Sequence, residues 1–401
     1  MSRFAKYQAP RPSDTDLAKA FKARYARLQR CMEEDSVELL YLLDPGNVRY
    51  ATNIARIAAL ENVRYRALAP QKGQPLIYAN PGRDMLSLQE TFGARVRPKM
   101  LWSLSPTRDE DLKRWVHQVK HDMEDLGLRK AVLAADMPLA TEEAAAFAAA
   151  GIKTSVAAQT LSRSRIIKTP EEIAVIRKNA GLNDALFKIM REEIQPRMRE
   201  RDLTALATAA FYELGGEIPV FTIAAGDRTN PLHTGLPSDN VMKRGDLVII
   251  DSGGNSVGGY WVDATRTFVV GKPPTRKQKE LYQRCLEVLN GIVGSVKPGA
   301  TSAEVANTFP RDLVAQMLKH GSPGTDLQVH SLGLTFIDGM WITRVFSPRT
   351  NQVLEPNMYF AAEVELGEGT EGVRLEHNVL ITKRAGETLD QFPIEELVST
   401  G

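Results

Sequence analysis

The chain has 401 residues, of which 43% are hydrophobic and 25% charged, with a formal net charge of +2. That length suits two domains. The balanced charge, with no basic stripe interleaved with aromatics, argues against a nucleic-acid partner, and no apolar run is long enough to span a bilayer. The two cysteines, Cys31 and Cys285, lie far apart, which reads as free thiols in a reducing compartment. The opening MSRFAKYQAPRPSD has no apolar core of a signal peptide. The expectation is a cytoplasmic protein without membrane partners.

After this polar arm, Leu17, Phe21, Tyr25 and Leu28 repeat at helical spacing, predicting a helix from Asp14 to about Glu34. VELLYLLD then reads as a buried strand, ended by a turn at Asp44-Pro45-Gly46. Further strands are expected at Pro75–Tyr78 and Ala131–Ala135, with a charged amphipathic helix from Arg108 to about Leu126 between them. Thr141–Ala150 reads as a helix stopped by Gly151. This alternation predicts a small α/β domain over residues 1–160. The Ser/Arg-rich stretch Ala157–Lys168 is expected to be a cleavable linker, and residues 161–401 a second domain.

The second domain opens on Thr169-Pro170-Glu171-Glu172. Thr169 is a helix cap, Pro170 occupies the first helical position and Glu172 the capping-box position. A long helix to about Glu193 should follow. Then come a helix from Asp202 to about Leu214, strands at Pro219–Ala224, Val248–Asp251 and Tyr260–Val270, and helices at Lys277–Ser295 and Ser302–His320. Strands return at Tyr359–Leu366 and Gly372–Thr382.

Four carboxylates and one imidazole in this half fall in strand or strand-edge contexts: Asp251, Asp263, His330, Glu363 and Glu376. In GDLVIIDSGGNSVGGYWVDATRTFVVG, a buried run delivers Asp251, a glycine-rich hairpin returns the chain, and Asp263 follows on the partner strand. Two such carboxylates can face one pocket as hard metal ligands, or be a turn residue and a surface residue. In GVRLEHNVLIT, Arg374, Glu376 and Asn378 alternate with Val373, Leu375 and His377, so the first three share a face that is either solvated or a polar pocket. Glu363 follows the apolar run Met358–Ala362. His330 by itself reads more often as a structural histidine than as a ligand.

Taken in order, these segments resemble the creatinase/aminopeptidase P/methionine aminopeptidase (M24) family, which has the pita-bread fold. RIIKTPEEI, LHTGLPSDNVMKRGDLVIIDSGG, YWVDATRTFVVG, MYFAAEVELG and GVRLEHNVLIT carry the resemblance, over about residues 160–390. It implies an α/β N-terminal domain followed by an α+β pita-bread catalytic domain. It also implies two divalent metal ions (Mn, Co, Zn or Fe), with Asp251 binding one ion, Asp263 and Glu376 bridging both, and His330 and Glu363 on the second. By the same resemblance, Glu363 handles the proton of the attacking water, His233 contacts substrate and intermediate, and Arg374 meets a substrate carboxylate or a ligand. The implied activity is hydrolysis of a C–N bond in a short peptide or peptide-like molecule, of the Xaa-Pro dipeptidase or aminopeptidase type, by a homodimer.

Three departures accompany the resemblance. The two aspartates stand one residue further apart than is usual in the peptidases. The family's GHGIGLxxHExP is VHSLGLTFIDG here, so Ile337 and Asp338 occupy the positions of its second His and its Glu and are taken as substrate-lining. Val364 and Glu365 replace the Pro-Gly after the first Glu. The alternative is a metal-dependent lyase of the dimethylsulfoniopropionate-cleaving type, or another non-peptidase acting on a small carboxylate. The lyase pattern, however, carries an Asp where this chain has Gly253, and its base aligns with Phe336.

Overall fold

The computed structural model describes residues 1–401 except 1, 2, 5, 55–64, 81, 83, 84, 87, 90–94, 100–107, 234–236, 313–327, 346 and 401. Two compact units emerge: Ala18–Arg165, and Met1–Leu17 together with Ile166–Gly401. The expected first domain began at residue 1. Instead the N-terminal arm packs with the second unit, because Phe4 is buried in that unit's core and Arg11 donates to Glu213 O.

The smaller unit is built on a six-stranded sheet in the order β4-β3-β2-β1-β5-β6. Its strands are β1 (Leu39–Leu42), β2 (Arg66–Pro70), β3 (Leu76–Ala79), β4 (Val96–Pro98), β5 (Leu133–Ala135) and β6 (Thr154–Val156). Its helices are α1 (Asp14–Glu34), α2 (Pro45–Thr52), α3 (Arg108–Asp125), α4 (Thr141–Ala149) and α5 (Ala158–Ile166). The core is aromatic: Tyr78 meets Trp115 edge-on at 4.7 Å, and Tyr41 meets Phe147 at 5.9 Å. Asp44-Pro45-Gly46 is a helix start rather than a turn. Asp44 accepts from Asn47 N and Pro45 opens α2, where its missing N–H costs nothing. The expected linker is likewise ordered. Residues 158–166 form α5, with Leu161, Ser164 and Arg165 buried, because its polar residues hydrogen-bond inward; Tyr50 Oη, for example, donates to Ser164 O at 2.8 Å.

The larger unit opens with α6 (Pro170–Glu193), which carries the full Thr169–Glu172 capping box, and α7 (Glu200–Glu213). One sheet follows in the order β15-β9-β8-β7, from β7 (Ile218–Ala225), β8 (Leu247–Asn255), β9 (Trp261–Val269) and β15 (Val398–Ser399). Between β9 and the second sheet lie α8 (Arg276–Ser295) and α9 (Ser302–Asn307). The expected helix Ser302–His320 breaks after Asn307, ahead of Pro310, and residues 313–320 lie outside the described residues. The second sheet runs β11-β10-β12-β13-β14, with β10 (Gln328–Ser331), β11 (Trp341–Ile342), β12 (Tyr359–Glu368), β13 (Glu371–Ile381) and β14 (Gly386–Thr388).

Each sheet buries one face against helices. Val248, Ile250, Val262, Ala264 and Phe268 pack with Leu186, Phe187, Leu203 and Phe211 of α6 and α7. Val364, Leu366, Val373 and Leu375 pack with Leu281, Cys285 and Leu289 of α8. Side chains alternate along a strand, so Asp251, Asp263, Glu363, Glu376 and Arg374 must all point to the opposite, helix-free faces.

The two sheets are joined where β9 meets β13, largely by side chains. Thr267 Oγ1 donates to Arg374 O at 2.9 Å and accepts from Arg374 N at 3.1 Å. Asp263 N donates to Asn378 Oδ1 at 3.2 Å. Buried Arg266 donates to Glu376 O at 2.7 Å, Thr265 O at 3.0 Å and Phe392 O at 3.2 Å. Arg266→Ala strips these buried carbonyls of their donor. The expected cost is about 3 kcal/mol, or a melting temperature lower by roughly 6–12 °C. Calorimetry showing a drop below about 2 °C would mean that Arg266 does not hold the junction.

Candidate metal centre

Asp251 sits in the middle of β8, paired with Thr265 of β9, and Asp263 pairs in register with Gly253. A side chain at 253 would press on Asp263, since a Cβ there would lie 2.9 Å from Asp263 Oδ1. Glu363 and Glu376 face each other as direct cross-strand partners on β12 and β13. His330 on β10 pairs with Ala361, two residues along the same face of β12 from Glu363.

Asp263, His330 and Glu376 come together with ligand atoms within 4.8 Å of one another, all three buried. His330 Nε2 lies 3.7 Å from Asp263 Oδ2, and its Nδ1 lies 3.2 Å from Phe336 O, a spacing that leaves Nε2 to face the cluster. Thr265 Oγ1 donates to Glu376 Oε2 at 2.8 Å, while Glu376 Oε1 is buried without a hydrogen-bond partner. Asp251 and Glu363 instead grip Arg374: its Nη1 lies 3.2 Å from Asp251 Oδ2 and its Nη2 binds Glu363 Oε2.

This is an electrostatically hungry site. Burial, then the charges of Asp251 and Glu363, push the Asp263 carboxyl well above its ordinary range. Burial, then Asp263 and Glu363, do the same to Glu376. Asp251 is raised by burial, with Arg374 opposing. Burial pulls His330 down to about 4, so its imidazole is neutral at pH 7, the form that ligates metal. For Arg374, burial works against the charge, but Glu363 and Asp251 outweigh it and hold the guanidinium protonated. Three buried carboxylates and the half-buried Asp251 around one guanidinium, with an orphaned carboxylate oxygen and a neutral imidazole, fit bound divalent cations.

Asn378 supports the centre, and only its place on the Arg374–Glu376 face hints at it in the sequence. Asp390 accepts from Asn378 N at 2.6 Å and Nδ2 at 2.7 Å. This fixes Asn378 Oδ1 to accept from Tyr359 Oη at 2.6 Å and from Asp263 N. Nothing in the sequence points to Asp390 or Tyr359.

The other expected residues fall elsewhere. His233 is exposed on the loop after β7; its Nδ1 lies 3.4 Å from Arg228 Nη1, and none of the five candidate ligands is among its hydrogen-bond partners in the described residues. Thr234, Gly235 and Leu236 of the same segment lie outside the described residues. The loop is anchored by buried Glu200, which accepts from Ala225 N at 2.9 Å, Asn240 Nδ2 at 3.0 Å and Arg228 Nε at 3.1 Å. Ile337 is 39% exposed. Asp338, expected to line the substrate site, is turned inward: it is 4% exposed and pairs with buried Lys168 at 3.1 Å.

A sheet-based, carboxylate-rich candidate metal centre in the second of two units, the first a small α/β unit, defines a class of metalloenzyme folds. Residues 174–383 match the profile of "Metallopeptidase family M24", and the chain belongs to that family. It is 35% identical over 246 residues to the Xaa-Pro dipeptidase of Pyrococcus furiosus, covering 58% of this chain and 65% of that protein. It is 30% identical over 249 residues to the Xaa-Pro aminopeptidase of Escherichia coli, covering 56% of each. The matched region thus spans less than two thirds of these relatives' lengths. The prolidase of Pyrococcus horikoshii superposes with a TM-score of 0.69 at 24% identity, covering 92% of this chain and 99% of that one. The Xaa-Pro dipeptidase of Bacillus anthracis gives 0.72 at 22% identity, covering 94% and 99%. The fold is therefore an α/β unit followed by a pita-bread unit.

Lys168→Met leaves Asp338 buried without its cation, which should cost about 3–5 kcal/mol. Adding Asp338→Leu should recover at least half of that, since an apolar pair removes the stranded charge. Thermal melts of the single and double variants check this; equal losses in both would mean that the pair's charge is not what holds the loop.

Proposed function

We infer that the chain is a dinuclear metal-dependent hydrolase that cleaves the C–N bond of a short peptide or peptide-like substrate, as an Xaa-Pro dipeptidase or aminopeptidase does. The observation that carries this reading is the shared inner face of the two sheets, where Asp263, His330 and Glu376 cluster beside Asp251 and Glu363 with one Glu376 oxygen unpartnered. The names of the relatives support the substrate class.

Asp251, Asp263, His330, Glu363 and Glu376 would hold two divalent ions, with Asp263 and Glu376 shared between them. Mixed carboxylate and imidazole donors suit Mn, Co, Zn or Fe. Bound there, such ions supply Lewis acidity that lowers the pKa of water and polarises a carbonyl. Glu363 takes the proton from the water that adds to the scissile carbonyl carbon and returns it to the leaving amine nitrogen as the C–N bond breaks. Arg374 holds Glu363 in place through its ion pair and offers a guanidinium to a substrate carboxylate. His233, exposed on its anchored loop, donates to the developing oxyanion. We take the working form to be a cytoplasmic homodimer, to be checked by light scattering. Among the described residues no helix is long and apolar enough to cross a membrane, and both cysteines are free and buried.

Two sets of variants test the roles. Asp263→Ala and Glu376→Ala should each lose bound metal and activity, and elemental analysis finding wild-type metal in both would sink the bridging assignment. Glu363→Gln should keep more metal yet lower kcat by roughly 10²–10⁴-fold, as for a lost proton-transfer group.

The reaction itself is tested with metal-reconstituted protein on Xaa-Pro dipeptides, longer peptides with N-terminal Xaa-Pro, and sulfonium or betaine acids. Hydrolysis of an Xaa-Pro bond is expected, with His233→Ala lowering kcat and kcat/KM together. No hydrolysis under Mn, Co, Zn or Fe, with turnover of a sulfonium acid, would replace this reading by the lyase.

A further inference from the structure

The loop that carries His233 is pinned along its length. After β7 the chain makes one turn of 3-10 helix, Gly226–Arg228. Thr229 Oγ1 donates to Gly226 O at 2.7 Å and accepts from Gly372 N at 2.8 Å. Asn230 Nδ2 donates to Gly369 O at 2.8 Å. These bonds tie the loop to the turn between β12 and β13, at an approach so close that a side chain on Gly372 would run into Thr229 O. His233 N then donates to Arg228 O at 3.0 Å, so the main chain itself brings Arg228 and His233 together.

The Arg228 side chain is gripped from the other side. Its Nε lies 3.1 and 3.2 Å from the two oxygens of Glu200, which is 1% exposed. Glu200 also accepts from Ala225 N, Asn240 Nδ2 and Ser238 Oγ. A guanidinium is a rigid planar fork, so holding Nε directs the remaining donors. Nη1 lies 3.4 Å from His233 Nδ1. That is long for a hydrogen bond, but such bonds are often long before substrate binds and tighten in the complex.

A guanidinium has donors and no acceptor, so the nitrogen it meets must be the acceptor. A neutral imidazole carries one donor and one acceptor. An Nδ1 that accepts therefore leaves the proton on Nε2. His233 is exposed, which lets that Nε2–H reach a ligand.

We propose that Arg228, braced by Glu200, is a positioning residue that fixes His233 as an Nε2–H donor, so that a developing oxyanion meets a proton rather than a lone pair. The oxyanion role of His233 rests on the hydrolase reading, whereas the protonation of its ring can be read without turnover.

The test uses zinc-reconstituted protein labelled with nitrogen-15 histidine, and the His233→Ala spectrum identifies His233 among the six histidines. At about pH 8.5, roughly two units above the ordinary imidazole pKa, wild type should show the proton on Nε2 and an Nδ1 shifted as a hydrogen-bond acceptor. In Arg228→Met, where Glu200 keeps its other donors, His233 should exchange between both tautomers. There kcat on an Xaa-Pro dipeptide should fall about tenfold, short of the roughly 10²–10³-fold of losing an oxyanion donor outright. KM should stay within about twofold. Arg228→Lys, which still offers a donor, should restore the Nε2–H form and most of kcat. Absence of dipeptide hydrolysis in wild type, with the tautomer change still seen in Arg228→Met, would remove the hydrolase reading and leave Arg228 in control of the ring. A proton on Nδ1 in wild type, a free Nδ1 there, or a His233 spectrum unchanged in Arg228→Met would overturn the proposal. So would a rate loss that comes with a raised KM, a lower melting temperature and no rescue by lysine, which marks a support of the loop alone. Should Arg228→Met fail to fold, the wild-type and Arg228→Lys spectra still decide.

Discussion

The centre depends on the junction between β9 and β13. All five candidate ligands sit on strands of the two sheets that this junction brings together, two on the first and three on the second, and neither sheet alone presents the whole set. The junction is made mainly from side chains of β9 reaching β13. Threonine suits the task because one short hydroxyl can donate and accept at once, as Thr267 does with both backbone groups of Arg374. Arg266 adds a rigid fork of donors where several carbonyls converge, and its guanidinium lies 5.3 Å from the Phe187 ring. Precision in the site is thus inherited from a hydrogen-bonded seam between two helix-backed layers.

The seam forces like charges together in a buried space. Burial and mutual repulsion raise Asp263 and Glu376 together, and the same burial keeps His330 neutral. Arg374 relieves part of the repulsion by pairing with Asp251 and Glu363, which leaves the Asp263–His330–Glu376 side of the site as the more electron-rich half. Buried carboxylates without full compensation are expensive, so a scaffold keeps them where cations complete the set. A neutral imidazole and carboxylates held apart by sheet geometry are also poor substitutes for a packed core, which is why the outer faces of both sheets carry the apolar burial.

The irregular segments around the site share one device: a single buried carboxylate collects donors from each. Glu200 gathers Ala225 N, Arg228 and Asn240 for the loop bearing His233. Asp184 takes Gln391 N and Phe392 N, and Asp390 orients Asn378. Asp338 with Lys168 closes the loop bearing Phe336 and Ile337. Charge-assisted bonds to a carboxylate are stronger than neutral ones, so one residue can hold a loop that has no ladder of its own.

Much of this was legible in the chain because it is local. The alternation through Val373–Asn378 placed Arg374, Glu376 and Asn378 on one face, and the Thr169–Glu172 box marked the start of α6, since both are periodicities of a few residues. The glycine-bearing return between Asp251 and Asp263 was readable for the same reason. The short motif Asp44-Pro45-Gly46 was ambiguous between turn and helix start, and the capping bond to Asn47 decided it. The Ser/Arg-rich stretch before Lys168 looked open because composition does not reveal that its polar groups find buried partners. Asp338 looked like a substrate contact because its partner, Lys168, lies 170 residues earlier. Sequence by itself determined which residues could ligate, cap or pack, through side-chain chemistry and strand period. Only the tertiary structure decided which carboxylates share a cluster, which is gripped by Arg374, and which is spent inside an ion pair, because those outcomes follow from burial and from partners that chain order does not bring near.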